Sequence, residues 1–266
     1  MGATSAARAD AARRIVLDAA LAAGTCHIGS SLSIVDVLAV LYADVLPAGP
    51  GDGHRFLLSK GHAASALYAT LAVDGVLDPA AVVAGYCADG GRFAGHPERG
   101  IPGVEMTGGS LGHGPAIAIG TALAERHAGS GRRTFCLVGD GELNEGSVWE
   151  ALALAGHLGL AGLTLIVDAN GLQGLGRTAD VLDLEPVLPK LAAFGWEPRE
   201  VDGHDHGALL AALASPAADR PTAVVARTTK GFGIDFMEDE LMWHYRSLKP
   251  EDRPRVDAEL ARRAAA

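Results

Sequence analysis

The chain has 266 residues, of which 48% are hydrophobic and 20% are charged, a balance that is typical of globular proteins and excludes a disordered chain. Its formal net charge is −10 and no basic patch is visible, which argues against a nucleic-acid-binding protein. Three widely spaced cysteines and the lack of a long charge-free apolar stretch predict neither a disulfide framework nor a membrane span, so we expect a cytoplasmic protein.

The first half of the chain predicts helices with one short strand among them. These helices cover residues 7–23, 34–46 and 62–75. Ser31 or Ser33 is the expected N-cap of the second helix, because serine is a preferred capping residue. The apolar run at residues 55–60 predicts a buried strand, and the glycine-rich stretch at residues 89–114 predicts a long loop. A loop of that length in a compact domain usually has a functional role.

The second half of the chain alternates apolar strands with helices. The strands cover residues 134–139, 163–170 and 221–229, with residues 195–203 as a further candidate. The helices cover residues 115–129, 147–159 and 206–219. Strands that are apolar almost throughout indicate a parallel sheet covered on both faces. Since no change of composition marks a linker, we predict one α/β domain over residues 1–266, with three layers and helices on both faces of the sheet.

Polar residues follow the predicted strands, at the edge where ligands bind in parallel sheets. Each such turn alone is also compatible with ordinary turn chemistry, since Gly, Asp and Asn are common in turns. Asp140 and Asn170, however, end two strands that one crossover brings side by side. Their carboxylate and amide oxygens suit Mg²⁺ or Ca²⁺, and Gly141 allows a diphosphate to approach the backbone at the start of the next helix. The pair predicts a site for a metal and a diphosphate.

These residues also carry a family resemblance. The sequence Gly-Asp-Gly at 139–141, followed by Asn170, resembles the thiamine diphosphate motif, and residues 139–178 resemble transketolases specifically. Further matching segments lie at residues 24–31, 58–62, 95–97, 106–114, 230–231 and 243–244. The matches follow the order of the family from about residue 10 to about residue 250. The resemblance implies a thiamine diphosphate-binding fold.

The resemblance implies roles for individual residues in metal and diphosphate binding. Asp140, Asn170 and the carbonyl of Leu172 match the ligands of the divalent metal, Mg²⁺ or Ca²⁺, and Asn170 thereby counts among the cofactor contacts. The positions that match contacts to the diphosphate are Gly141, His62 and His244.

Other matched residues are implied to lie near the rings of the cofactor or the substrate. Gly109 and Leu111 match positions beside the aminopyrimidine and thiazolium rings, and Glu145 matches a glutamate at the subunit interface. His27 and His96 match histidines of the substrate channel and, with His62, form the expected catalytic set. Histidine suits this task because its pKa lies near neutrality.

Transketolases are more than twice as long as this chain, and their pyrimidine-binding and C-terminal domains have no counterpart here. The resemblance therefore implies the N-terminal subunit of a split transketolase, completed by a C-terminal subunit in an α2β2 heterotetramer. Together the subunits would transfer a two-carbon ketol unit from a ketose to an aldose, using sugar or sugar-phosphate substrates. Two alternatives stay open: another thiamine diphosphate enzyme, either 2-oxoacid dehydrogenase-like or loading a two-carbon unit onto a carrier protein, and a catalytically silent binding subunit.

Several polar residues receive no site role at this point. Asp168 is interpreted as a polar residue at a strand end, and Lys230 either approaches a phosphate or is exposed. The histidines interpreted as solvated or structural are His54, His127, His157, His204 and His206. The role of His113 is left open.

Overall fold

A five-stranded parallel sheet lies at the centre of the fold, in a computed structural model that describes residues 3–46 and 53–264. The strands of the described residues are β1 (Arg55–Leu58), β2 (Thr134–Gly139), β3 (Leu163–Ala169), β4 (Leu172–Gln173), β5 (Gly176–Arg177), β6 (Glu197–Asp202) and β7 (Thr222–Arg227). The sheet has the order β1–β2–β3–β7–β6, and all its neighbouring strands are parallel. Strands β4 and β5 form a separate antiparallel hairpin just after β3.

Helices cover both faces of this sheet. The helices of the described residues are α1 (Ser5–Ala23), α2 (Ile28–Leu32), α3 (Val35–Val40), α4 (Ala64–Val73), α5 (Pro79–Gly85), α6 (His113–His127), α7 (Gly146–His157), α8 (Thr178–Leu182), α9 (Val187–Ala193), α10 (His206–Ala214) and α11 (Arg253–Ala264). Successive residues of β2 point to opposite faces of the sheet, since Phe135 packs with α1, α3 and α4 whereas Cys136 packs with α6, α7 and α9. The three-layer α/β prediction is confirmed.

The predicted strands agree with the structure to within two residues, but two predicted helices are too long: α3 ends at Val40 and continues as a π-helix over Leu41–Val45, and α10 ends at Ala214. Helices α2, α5, α8, α9 and α11 were not predicted. Strand β2 has the predicted bounds, and the candidate strand at 195–203 is present as β6. The glycine-rich stretch has no regular helix or strand between residues 89 and 112, and α6 begins at His113. Among the described residues, no helix has the length and hydropathy needed to cross a membrane.

The predicted N-cap is wrong. Ser31 lies inside α2 and Ser33 directly follows it, whereas α3 begins after Ile34 without a side-chain cap. The physical reason is that both hydroxyls have tertiary partners. Ser31 Oγ lies 2.7 Å from Ser65 Oγ, and Ser33 Oγ donates to the Asp168 carboxylate at 3.0 Å. These hydroxyls therefore fasten the helices to the sheet instead of capping α3.

Candidate active site

Asp168 forms a buried polar centre at the carboxyl edge of the sheet. It lies at the end of β3, opposite Gly139 of β2, and it is fully buried. Its carboxylate accepts hydrogen bonds from the Lys60 ammonium and from side chains of Ser33, Thr228 and Asn170. Although burial opposes its charged form, Lys60 and these donors hold the pKa of Asp168 below its usual value. Asp168 is thus an anion that is already neutralised.

Asp140, the residue after β2, lies beside Asp168 and is held differently. Its Oδ1 accepts the N–H of Gly141 at 2.8 Å, and its Oδ2 accepts the N–H of Gly171 at 2.6 Å. Over the described residues, no lysine or arginine forms an ion pair with it. Burial and the neighbouring Asp168 raise the pKa of Asp140 to about 6. This carboxylate is therefore the one that a cation would stabilise.

The turn after β3 places Asn170 and Leu172 next to Asp140. The Asn170 amide group donates to Asp168 at 2.7 Å, and its Oδ1 accepts the Leu172 N–H at 3.0 Å. These two bonds fix the side chain within the turn whose Gly171 N–H binds Asp140. The predicted proximity of Asp140 and Asn170 is thus present, and an amide oxygen with one hydrogen bond has a second lone pair to offer.

Four histidines from separate segments meet above this edge. The His27 ring stacks on His62 with centroids 4.3 Å apart, and His244 lies 4.9 Å from His27 and 5.2 Å from His62. His96 completes the group at 5.4 Å from His62. They come from the turn before α2, the 3₁₀ turns at Gly61–Ala63 and Leu241–His244, and the glycine-rich loop. The sequence motifs that contain them are therefore adjacent in space.

The electrostatics of this cluster favour neutral rings at His27, His62 and His244, beside a buried cation. Burial, and after it the neighbouring histidines and lysines, lowers the pKa of His62 to about 4. Burial, and after it Lys230, lowers the pKa of His244 to about 3. Burial also lowers the pKa of His27. Lys230 is only 2% exposed, and burial together with Lys60 lowers its pKa to about 8. The sequence left Lys230 between exposure and phosphate contact, and exposure is excluded.

A metal site formed by the three imidazoles fits this geometry less well than an anion site. Ligand atoms of His27, His62 and His244 lie within 4.8 Å of one another, as metal ligands would. Two of the rings are stacked rather than convergent, however, and Lys230 Nζ lies 3.2 Å from His244 Nδ1. A buried ammonium beside the rings repels a second cation and attracts an anion. We therefore interpret His27, His62 and His244 as one wall of an anion-binding site, the anion-binding wall.

The glycine-rich loop reaches the site through close backbone packing. A Cβ added at Gly61 would lie 2.9 Å from the Gly109 nitrogen, so the two glycines allow the loop to contact the turn after β1. Gly109 also packs against the His96 ring, and its φ of 134° favours glycine. Leu111 is half-buried in the same loop. Gly109, which is matched to the cofactor rings, thus lies beside the histidine cluster.

Glu142 anchors this loop, and it was missed by the sequence analysis. Its Oε1 accepts bonds from Ser59 Oγ and the Gly112 N–H, and its Oε2 accepts the Gly139 N–H. Glu145, by contrast, is exposed. It packs closely against the loop, because a Cβ added at Gly112 would lie 2.8 Å from the Glu145 Cβ. Glu142 therefore joins three segments of the site, whereas Glu145 is available to solvent or to another chain.

The geometry agrees with what the comparisons with known proteins show. A family model described as the thiamine diphosphate binding domain of transketolase matches residues 4–261, almost the whole chain. The chain belongs to the transketolase family. It is accordingly a thiamine diphosphate-dependent transferase of the transketolase type.

Similar proteins include separate subunits as well as full-length transketolases. The chain is 39% identical to an apulose-4-phosphate transketolase subunit from Actinobacillus succinogenes, over 92% of this chain and 91% of the relative. It is 36% identical to a 6-deoxy-6-sulfo-D-fructose transketolase subunit from a Clostridium species, over 97% and 96%. The solved transketolase of Leishmania mexicana superposes with a TM-score of 0.89 at 31% identity, covering 98% of this chain but 42% of that one. This transketolase-type subunit thus spans less than half of the solved transketolase.

The motifs predict residues that lie near one another in the structure, whereas the polar centre at Asp168 matches none of the predicted site roles. The residues that lie near one another as predicted are His27, His62, His96, His244 and Gly109 in one group and Asp140, Gly141, Asn170 and Leu172 in another. Lys60 and Asp168 were not recognised as an ion pair. The signal was present, because each lies at the carboxyl end of an apolar run, but pairing them requires knowing that β1 and β3 flank the same strand.

Proposed function

We propose that this chain is the cofactor-binding subunit of a two-chain transketolase. It would bind thiamine diphosphate with Mg²⁺ and, with a C-terminal subunit in an α2β2 assembly, transfer a two-carbon ketol unit from a ketose to an aldose. The observation that carries the proposal is one of length: relatives named as transketolase subunits match this chain nearly end to end, whereas it covers 42% of a solved transketolase.

The donor set around Asp140 fits a magnesium ion. Asp140, Asn170 and the carbonyl of Leu172 are hard oxygen ligands, which Mg²⁺ prefers. Of the two neighbouring carboxylates, Asp168 is neutralised by Lys60, whereas Asp140 has no ion-pair partner among the described residues. A divalent cation at Asp140 would relieve the repulsion between the two carboxylates, which contributes to the raised pKa of Asp140.

The environment of Lys230 fits a diphosphate. Its ammonium is buried, lies 3.2 Å from His244 Nδ1 and bonds no carboxylate among the described residues. A buried cation without an anionic partner is costly, and a bound phosphate would provide that partner. Gly141, His62 and His244 are proposed to contribute the remaining contacts to the same anion.

The histidines provide proton transfer at the substrate. When bound, thiamine diphosphate supplies the electron sink for the two-carbon unit. His27 is neutral near pH 7 because burial lowers its pKa, and a neutral imidazole offers one donor and one acceptor. We propose that His27 and His96 bind substrate hydroxyls and exchange protons with them, while His62 contacts the cofactor. Gly109 and Leu111 would contact the cofactor rings, and Glu145 would meet the partner subunit.

The test is a two-chain assay for ketol transfer. This chain and the product of the neighbouring gene are mixed with Mg²⁺ and thiamine diphosphate, and xylulose 5-phosphate is offered with ribose 5-phosphate. Because two relatives are named for other sugars, apulose 4-phosphate and 6-deoxy-6-sulfofructose belong in the substrate panel. We expect turnover that needs both chains and is lost in Asp140→Ala.

Binding of the cofactor is measured separately by calorimetry. We expect Asp140→Ala to remove Mg²⁺-dependent binding of thiamine diphosphate, while the exposed control Asp180→Ala leaves it unchanged. Ketol transfer by this chain alone would contradict the two-chain proposal. Mg²⁺-independent cofactor binding that survives Asp140→Ala would contradict the metal assignment.

A further inference from the structure

A second buried polar cluster lies away from the proposed cofactor site, and no motif of the sequence analysis covers it. Arg13 of α1 is fully buried and contacts both carboxylate oxygens of Asp36, which is 1% exposed on α3, at 3.2 and 3.1 Å. The Asp36 carboxylate also contacts His204 Nδ1 at 2.8 Å and His206 Nε2 at 3.3 Å. His204 and His206, which sequence analysis interpreted as solvated or structural, are therefore partners of one buried acid.

The hydrogen bonds of His204 fix its tautomer. Its Nε2 lies 2.9 Å from the backbone nitrogen of Thr229, and because a backbone N–H can only donate, Nε2 must accept. The ring proton therefore sits on Nδ1 and is donated to Asp36. Arg13 in turn orients the carboxylate that receives this proton. The three side chains form an ordered series of bonds that ends on the Thr229 amide.

Thr229 lies in the turn that carries two residues of the cofactor site. Thr228 Oγ1 donates to Asp168, and the Lys230 ammonium faces His244. The far side of the turn is held by the same cluster, since Phe232 stacks on His204 at 3.4 Å and its carbonyl accepts the Arg13 Nε–H at 3.2 Å. Arg13 and His204 thus hold the turn at residues 228–233 in place through its backbone and the Phe232 ring.

We propose that Arg13, Asp36 and His204 are positioning residues for Lys230. They hold the turn at residues 228–233 so that the buried ammonium of Lys230 points at the place assigned to the anionic group of the cofactor. The inference rests on the proposed function for the identity of that anion, but the positioning of the turn itself does not depend on it. His206 shares Asp36 and contacts Ser5 Oγ at 2.9 Å, away from the turn, so it provides a matched control.

The test compares three variants of the full chain, each mixed with the C-terminal subunit. His204→Phe keeps a ring that can stack on Phe232 but removes both hydrogen bonds, whereas His204→Gln keeps one donor and one acceptor without the aromatic ring. His206→Phe removes a partner of Asp36 that does not touch the turn. Two quantities are measured: amide hydrogen exchange of residues 228–233, and the dissociation constant of thiamine diphosphate with Mg²⁺ by calorimetry.

We expect His204→Phe to raise exchange at residues 228–233 and to weaken cofactor binding roughly tenfold, the effect of losing the one hydrogen bond that joins His204 to the turn, from the Thr229 N–H. His204→Gln should recover most of both losses, and His206→Phe should leave both within about twofold, below the effect of one such bond. In a Lys230→Met background, His204→Phe should weaken binding no further, because it acts through Lys230.

Three results would overturn the proposal: unchanged exchange of the turn in His204→Phe, equal losses in His206→Phe, or a glutamine variant as impaired as the phenylalanine variant. Failure of the wild-type chain to bind thiamine diphosphate and Mg²⁺ even with the C-terminal subunit present would instead contradict the proposed function. In that case the exchange measurement still decides whether His204 holds the turn.

Discussion

The Lys60 ammonium donates to the fully buried carboxylate of Asp168 at the carboxyl edge of the sheet. Lys60 comes from the turn after β1 and Asp168 from the end of β3, so the pair spans the end of the strand that lies between them. The same ammonium donates to the Ser30 carbonyl at 3.0 Å and to Ser33 Oγ at 2.9 Å. One cation therefore joins α2, β1 and β3 beneath the proposed metal carboxylate, Asp140.

Removing this cation should destabilise the chain. Lys60→Met leaves Asp168 buried without its ion-pair partner, and breaking a buried pair from one side costs about 3–5 kcal/mol. We expect a loss of that order in the free energy of unfolding, measured by urea denaturation at pH 7.5. The exposed Lys249→Met serves as control and should change the free energy by less than about 0.5 kcal/mol. A wild-type midpoint for Lys60→Met would show that the pair contributes nothing to stability.

The glycine at 141 should be intolerant of a side chain for a steric reason. A Cβ added there would lie 2.6 Å from the Cβ of Gln173, on the hairpin that also carries Leu172. Gly141→Ala must therefore push the hairpin away from Asp140, which costs about 1–3 kcal/mol. We expect lower thermal stability and weaker Mg²⁺-dependent cofactor binding, by scanning calorimetry and titration.

Gly146 provides the matched control for that substitution. It is the first residue of α7, and a Cβ there would meet no atom within 4 Å. Gly146→Ala should leave cofactor binding unchanged and stability equal or slightly higher, because alanine favours a helix by up to about 1 kcal/mol over glycine. Equal losses in both variants would mean that contact with Gln173 is not the cause.

The parts of this site that follow from local sequence were predictable, and those that depend on strand order were not. The apolar run at residues 134–139 and the polar residue after it locate Asp140, and one crossover locates Asn170 beside it. Lys60 and Asp168 are 108 residues apart in the chain and come together only because β1 and β3 both neighbour β2. No spacing or periodicity encodes that order.

The misassigned serines have the same origin. A serine before an apolar helix is the usual sign of an N-cap, yet the Ser33 hydroxyl donates to Asp168, 135 residues away. His204 and His206 likewise match no motif, because their partner Asp36 lies about 170 residues earlier. Local rules fail here where a hydroxyl or an imidazole has a long-range polar partner that is stronger than its local one.

Glu142 should be needed for the shape of the glycine-rich loop. Its carboxylate accepts three bonds, from Ser59, Gly112 and Gly139. In Glu142→Gln one acceptor oxygen becomes an amide donor that faces one or two of these donors, which costs about 1–3 kcal/mol. We expect weaker binding of thiamine diphosphate and faster amide exchange at residues 108–112. Glu150→Gln, on the exposed face of α7, serves as the control and should change neither quantity. Unchanged exchange in Glu142→Gln would contradict an anchoring role.

The histidine cluster should make the cofactor-free chain sensitive to mild acid. His62 and His244 have pKa values of about 4 and 3 in the folded chain, against 6.5 when unfolded, with burial as the first cause of both shifts. Well above pH 6.5 neither state is protonated, so the titration of the pair has no effect on stability there. Below pH 6.5 the unfolded chain takes up protons that the folded cluster excludes, so stability falls as the pH decreases towards 4.

We expect a loss on the order of 3 kcal/mol between pH 6.5 and 4.5, measured by urea denaturation in the absence of Mg²⁺ and thiamine diphosphate. Asp140 opposes this trend, because its pKa is raised to about 6 and the folded state takes up its proton first. The histidine contribution is therefore isolated by comparison with the double variant His62→Gln/His244→Gln, whose stability should fall less over the same interval. If wild type and double variant lose the same free energy, the histidines are not the groups that exclude protons, and the neutral anion-binding wall is wrong.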